Sequence, residues 1–399
     1  MKIVLISDWF AEAMGYSENC LPKALASLGP EVHLLTANVQ PYFNSPSYRE
    51  TYKPFLGPGI VDCVVKKLDG YALHRLPHAT WCGGVHIRGL SSELLDLRPD
   101  VVQTFAAGGW TTYHAARAQR RLGYKFFTEQ HCHASVYPGV NLRARLHGTW
   151  QRLIVSPTMG RWVSSVTQKC YPISPDAAEI AIRYFGLPKQ KLSITPLGVD
   201  TDLFQPIADD SARRRRDQLR STLGFKASDI VCVYAGRFSS PKDPLCLAQA
   251  VAALATEGHP FRGLFVGGGK PEEVRAIQDC AGCVIHPFVS FRELVAYYQA
   301  ADIGVWPRQE STSQLDAAAC GLPIIISDRV TATERVAGNG LVYREGDRTD
   351  LRRVLLSLAD GEERQQLGMN GAMKMRQQFS WRLIAEHRLA DYEVALRDG

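Results

Sequence analysis

The chain alternates short apolar runs with longer stretches whose apolar residues recur every three to four positions. The first run, Lys2–Ser7 (KIVLIS), is apolar almost throughout, as a strand buried on both faces of a parallel sheet requires. A loop from Asp8 to Glu18 carries Gly15-Tyr16-Ser17; an amphipathic stretch over 18–28 and a second run over 31–36 follow. This predicts a strand–loop–helix–strand start. The same pattern predicts strands over 71–75, 101–105, 125–128, 171–174 and 193–196, with helices over Leu90–Leu97, 108–121 and 176–184. A second series begins at residue 230. Its predicted strands are 230–235, 261–266, 284–288, Ile303–Trp306, 324–326 and Gly340–Tyr343, with helices between them and over 349–360, 362–378 and 381–396.

Two stretches break the pattern. Residues 38–70 are rich in Pro, Tyr, Gly and Ser and are expected to form one long ordered loop. The turn Gly198-Val199-Asp200, followed by Phe204-x-Pro206 and a polar segment over 207–228, marks a domain boundary near residue 205. The expected domains are 1–204 and 205–379, with a last helix, 380–399, crossing back to the first. Residues 139–165 mix Arg143, Arg145, Arg152 and Arg161 with Leu142, Leu146, Trp150, Leu153 and Trp162. Two readings stay open there: contact with a membrane or lipid substrate, and a helix pair with one buried side.

Composition narrows the class. At 399 residues, 45% hydrophobic and 22% charged, the chain is expected to be soluble and globular, with a core in each of two domains. No apolar run approaches the ~20 residues that span a bilayer. The start reads as a buried strand rather than a signal peptide, so a cytoplasmic protein is expected, with peripheral association at the inner membrane face left open. The ten cysteines are scattered, which suits reduced thiols. Cys280-x-x-Cys283 has no second pair to complete a zinc site. The net charge of +6 suits anionic substrates. The run Arg213 to Arg216 reads as a solvated helix face, and no nucleic-acid-binding motif accompanies it.

The candidate chemistry lies at loops that follow strands. Between Trp306 and Ser327 a strand end, a polar loop with Arg308, Glu310, Ser311 and Thr312, a short helix and another strand succeed one another. Unpaired helix N–H groups would make that loop an anion and sugar site. Arg237 and Lys242 lie on the loop after the 230–235 strand, where a planar fork and a mobile point charge could converge on a phosphate. The first loop lacks GxGxxG, which disfavours a dinucleotide. Leu264 and Pro271 exclude a P-loop at Gly267–Lys270.

Several motifs share a resemblance by their order and spacing: the Gly15 loop, Ile194 to Asp200 with Phe204 and Pro206, Ala235-Gly236-Arg237 with Lys242, Phe265 to Gly269, Leu294-x-x-Tyr297-Tyr298-x-Ala300-Ala301-Asp302, Asp316 to Pro323 and Phe379-Ser380-Trp381. Together they resemble the GT-B glycosyltransferases of family 4. The resemblance implies an α/β GT-B fold, with two Rossmann-like domains facing a central cleft, the first taking the acceptor and the second the donor. It implies a retaining, metal-independent, hexosyltransferase-like enzyme of polysaccharide, glycolipid or glycoside biosynthesis. The donor would be a UDP- or GDP-linked sugar acting as substrate, the acceptor a carbohydrate or lipid-linked hydroxyl, and no cofactor or metal is expected. The leaving phosphate would itself take the acceptor proton.

By the same resemblance the catalytic residues are His131, Arg237 and Lys242, with His133 and then Glu129 behind His131. The donor-binding residues are Gly15, Gly236, Arg237, Lys242, Glu310, Ser311, Thr312 and Asp316. The chain departs from the family's pair of acids: Arg308 stands at the first position, Glu310 lies two residues late, and Asp316 replaces the second Glu. Asp200-Thr201-Asp202 matches a metal-binding DxD by letters but lies in the boundary turn. The alternatives are a nucleotide-sugar epimerase or phosphorylase on the same fold, and a non-catalytic partner subunit.

Overall fold

The computed structural model describes residues 1–81, 84–132 and 142–398. The chain divides into two compact units. One comprises Met1–Asn44, Pro58–Leu197 and Trp381–Gly399; the other comprises Ser45–Gly57 and Gly198–Ser380.

The first unit is built on a seven-stranded sheet. Its strands are β1 (Lys2–Ser7), β2 (Glu31–Ala37), β3 (Val64–Leu68), β4 (Tyr71–Leu76), and, beyond the separate hairpin of β5 (His78–Trp81) and β6 (Gly84–Ile87), β7 (Val101–Thr104), β8 (Lys125–Gln130) and β9 (Thr167–Pro172). The order is β3-β4-β2-β1-β7-β8-β9, parallel except for the β3–β4 pair. β1 lies at the centre, and Ile3 to Ile6 are at most 1% exposed, which is why the run reads as apolar on both faces. Tyr124, Phe126, Ala115 and Leu94 pack in the core against Val4 and Ile6.

Sequence pattern alone missed β3. Its residues are half-buried or exposed, and the lysines at 66 and 67 suit an edge strand. The tight turn at Asp69 (φ 42) and Gly70 (φ 92) forces the antiparallel return. The strand expected over 193–196 does not form. Ser193 and Thr195 donate to the carbonyls of Cys170 and Pro172 in β9 at 2.9 and 2.8 Å, but Pro196 has no N–H to extend a ladder. The helix Trp381–Arg397 closes this unit, with Tyr392 edge-on to Phe127 at 4.7 Å.

The second unit holds a six-stranded, all-parallel sheet of β10 (Ile230–Arg237), β11 (Phe261–Gly268), β12 (Cys283–His286), β13 (Ile303–Trp306), β14 (Ile324–Ser327) and β15 (Gly340–Tyr343), in the order β12-β11-β10-β13-β14-β15. Its boundary falls between 197 and 198 rather than near 205. The reason is packing: Phe204 is buried in this unit, 4.9 Å from the ring of Phe291 and 5.9 Å from that of Tyr298.

The loop expected over 38–70 is likewise divided. Residues 45–57 belong to the second unit, where Tyr52 and Phe55 stack on Phe288 at 6.4 and 5.6 Å. The polar segment over 207–228 contains the helix Asp210–Thr222. Arg213, Arg214 and Arg215 form the expected solvated face. Arg216 does not: with the buried Arg220 it binds Asp302, at 2.8 and 2.9 Å.

Candidate functional site

In the second unit β10, β11 and β13 run in parallel, so the loops after them emerge at one edge, where open α/β sheets bind ligands. Arg237 is the last residue of β10 and pairs in register with Gly268 of β11. Its carbonyl accepts a hydrogen bond from the Tyr234 hydroxyl at 2.9 Å. The backbone here is drawn tight. Phe238 N–H donates to the Gly268 carbonyl at 2.7 Å. Gly267 has φ +152, and a Cβ on it would overlap the Gly236 carbonyl. Only glycine permits that approach.

The next loop folds back on itself, with the N–H groups of Lys242 and Asp243 both donating to the Ser239 carbonyl at 2.9 Å. This brings Lys242 near Arg237. Burial, and then the Arg237 charge, pull the Lys242 ammonium below its ordinary value. Among the described residues neither Arg237 nor Lys242 has a carboxylate partner. Arg308 at the same edge differs: its guanidinium lies 3.6 Å from both Asp243 and Glu345. The residue standing where the family has an acid is therefore a neutralised structural cation. Two uncompensated positive charges held together are unfavourable unless an anion joins them.

The remaining donor residues expected from sequence fall elsewhere on this unit. The Thr331 hydroxyl donates to Glu310 at 2.8 Å, and Glu310 also faces the charge of the buried Arg335. Arg335 in turn donates to the Ser311 carbonyl at 3.3 Å. Ser311 Oγ accepts from Ser313 N–H at 3.4 Å, and Thr312 begins the helix Ser313–Ala319 without a side-chain cap. Asp316 lies on the helix Ser313–Ala319 and is only 5% exposed; burial, then the nearby charge of Asp200, push its carboxyl well above the usual range.

His131 and Gly15 belong to the first unit. Gly15 is half-buried in the loop between β1 and the helix Ser17–Ser27. His131 follows β8 directly, with Nε2 2.6 Å from Glu129 Oε2. Burial pulls the imidazole down, but the hydrogen bond and charge of Glu129, with the charge of Glu18 behind them, raise it on balance. Burial likewise pushes Glu129 up, and its bonds to His131 and Arg388 bring it below its ordinary value. Glu129 Oε1 also accepts from Gln103 at 2.9 Å and lies 3.4 Å from Arg388. The result is a chain of charged groups in which Glu129 and Glu18 favour the protonated form of the imidazole and Arg388 opposes it. Sequence reading placed His131 and Glu129 but missed Glu18, Arg335 and Arg388. No spacing in the chain signals that Arg388 meets a strand 259 residues earlier. His133, the runner-up to His131, lies outside the described residues.

Comparison with known proteins agrees with this architecture. A family model described as Glycosyltransferase Family 4 matches residues 21–203, and one described as Glycosyl transferases group 1 matches residues 229–360. The D-inositol 3-phosphate glycosyltransferase of Xylanimonas cellulosilytica is 29% identical over 238 residues, 56% of each chain. Spore coat protein SA of Bacillus subtilis is 26% identical over 52% of this chain and 60% of its own. The chain thus spans about half the length of the curated relatives it matches.

Among solved structures, sucrose-phosphate synthase from Thermosynechococcus elongatus superposes with a TM-score of 0.70 at 19% identity, covering all of both chains. HepE from Anabaena in complex with UDP superposes at 0.69 and 14% identity, over 99% of this chain and 100% of its own. The epimerase, phosphorylase and non-catalytic readings find no support in these matches. Two family models tile most of the chain, and its two parallel-sheet units match GT-B structures along their whole length; the chain belongs to glycosyltransferase family 4 and has the GT-B fold.

Proposed function

We propose that the chain transfers a sugar from a UDP- or GDP-linked donor to an acceptor hydroxyl on a carbohydrate or lipid-linked molecule, with retention at the anomeric carbon. The observation that carries this reading is the pair Arg237 and Lys242, two cations on one loop that feel each other's charge and have no carboxylate partner among the described residues. They suit the diphosphate of the donor. As the bond from the anomeric carbon to the phosphate oxygen breaks, negative charge grows on the diphosphate, and fixed cations stabilise it most at that point. The acceptor oxygen bonds to the anomeric carbon, and its proton passes to the leaving phosphate oxygen. On this account no side chain serves as nucleophile and no metal ion is needed.

Gly236, at a positive φ of 145 beside Arg237, is assigned to the turn that meets the diphosphate. Glu310, Ser311 and Thr312 line the neighbouring loop and are assigned to the sugar. Asp316, on the helix behind that loop, is assigned to the ribose hydroxyls of the donor. In the first unit His131 Nε2 is committed to Glu129, which leaves Nδ1 to donate to a sugar hydroxyl. Gly15 is assigned to the loop that faces the substrates.

A thermal-shift screen of UDP- and GDP-sugars tests the proposal. Donor at 100 times its dissociation constant should add about 2.7 kcal/mol to the stability of the unit that binds it. One base should outperform the other, and the purified chain should release the free nucleotide slowly from that donor in the presence of EDTA. No shift with any nucleotide sugar at millimolar concentration would overturn the assignment.

A further inference from the structure

The segment after residue 141 is an amphipathic element with its faces reversed. It runs as the helix Leu142–Trp150 into a wider helical stretch, Gln151–Gly160. The side turned to the rest of the first unit is small. Gly148 and Gly160 are buried. A Cβ on Gly160 would overlap the Phe185 carbonyl, and one on Gly186 would come 2.9 Å from the Ser156 carbonyl. The large apolar side chains point the other way. Leu142 is 73% exposed, Leu146 62%, Trp150 47%, Leu153 66% and Ile154 51%. Their spacing of four, four and three to four residues places them on one stripe. A surface helix of a globular domain buries such a stripe; this one presents it.

The charges beside the stripe are of one sign. Arg143, Arg145 and Arg152 are exposed, and no Asp or Glu occurs from Leu142 to Arg161. We propose that this face docks the protein peripherally on an anionic lipid surface. Leucine and isoleucine would enter the boundary between headgroups and acyl chains, Trp150 would sit at the headgroup level, and the arginines would reach anionic headgroups. A second copy of the chain is the poorer occupant. Pairing this face with itself would set the arginines of one copy against those of the other. The proposal does not depend on the reading of Arg237 and Lys242, and its test does not use them.

The probe is a sucrose-loaded vesicle of phosphatidylcholine alone, or of equimolar phosphatidylcholine and phosphatidylglycerol, sedimented with the full chain. The chain should co-sediment with the phosphatidylglycerol vesicles and much less with neutral ones, and raised salt should weaken the binding. The double variant Leu146→Glu/Leu153→Glu should weaken it at least about tenfold while leaving the circular dichroism unchanged, since both side chains are exposed. Should that variant misfold, Arg143→Gln/Arg152→Gln tests the same claim through a shallower salt dependence. Equal sedimentation of wild type and folded variants, or none of wild type, would overturn the proposal. So would a dimer in sedimentation velocity that the double variant dissolves.

Discussion

Replacing Arg388 by leucine tests how the closing helix is held. The guanidinium is 3% exposed and stands 3.1 Å from the centroid of the Tyr171 ring. It donates to Thr195 Oγ1 at 3.2 Å and lies 3.4 Å from Glu129, itself 3% exposed. At an effective dielectric of about 20, two unit charges 3.4 Å apart attract by roughly 5 kcal/mol, most of which desolvation cancels. Removing one partner of such a buried pair costs about 3–5 kcal/mol, because the other charge stays buried.

Two features act on that figure. Glu129 keeps Gln103 and His131 as partners at 2.9 and 2.6 Å, which favours the low end. Loss of the cation–π contact adds about 1 kcal/mol. The expected loss is therefore about 3–4 kcal/mol. Urea denaturation followed by circular dichroism measures it, with Arg382→Ala as the control. Arg382 pairs with Glu386 on the same helix, but the two side chains are 65% and 44% exposed, and such a pair contributes less than about 0.5 kcal/mol. If Arg388→Leu costs less than about 1 kcal/mol, close to its control, the network does not hold the helix as described.

Further outcomes follow from the same geometry. Lys242→Met should leave the stability of the protein unchanged or raise it, since it removes a half-buried charge that Arg237 opposes; chemical denaturation checks this. The Lys242 pKa is lowered on folding, so the unfolded chain binds more protons between the folded value and 10.5, and the lysine's contribution to stability should improve as pH rises through that window. Gly267→Ala should destabilise by about 2–4 kcal/mol or abolish soluble expression, because a Cβ there meets the Gly236 carbonyl in a backbone conformation that L residues avoid. His131, raised on folding, stabilises below its ordinary value of 6.5 and loses that contribution as pH climbs through its folded value; Glu129, lowered, stabilises above 4.5 and loses its contribution as pH falls through its folded value. The pair should therefore stabilise most between those two values, and Glu129→Gln should lower the His131 pKa measured by NMR.

What the sequence made legible follows from what periodicity can carry. Lys2–Ser7, Ile303–Trp306 and Gly340–Tyr343 form where their apolar runs predicted strands, because strands of a covered parallel sheet are written in local composition. The β3 edge strand was invisible, since half-exposed lysines leave no run to read. The placement of Tyr52 and Phe55 against Phe288 was invisible for another reason: it joins residues more than 230 positions apart. The site divides in the same way. Arg237 and Lys242 lie five residues apart on one loop, so local sequence sufficed to pair them. Arg308 was read as the replacement for a missing acid. Its pinning by Asp243 and Glu345 depends on three separate loops, and no single stretch records that. Asp316 kept the right position along the chain, but its burial beside Asp200 is a matter of packing.

The claim that Arg237 and Lys242 form the diphosphate site is tested most directly by titration calorimetry with UDP and GDP. Wild type should bind one of them, with affinity falling as salt rises. A hydrogen bond between charged groups contributes about 1.5–3 kcal/mol, so Arg237→Ala and Lys242→Ala should each weaken binding by roughly ten- to a hundredfold. Arg308→Ala, which removes a cation already neutralised by Asp243 and Glu345, should weaken it far less. Wild-type affinity for the preferred nucleotide in both the Arg237 and the Lys242 variant would contradict the account.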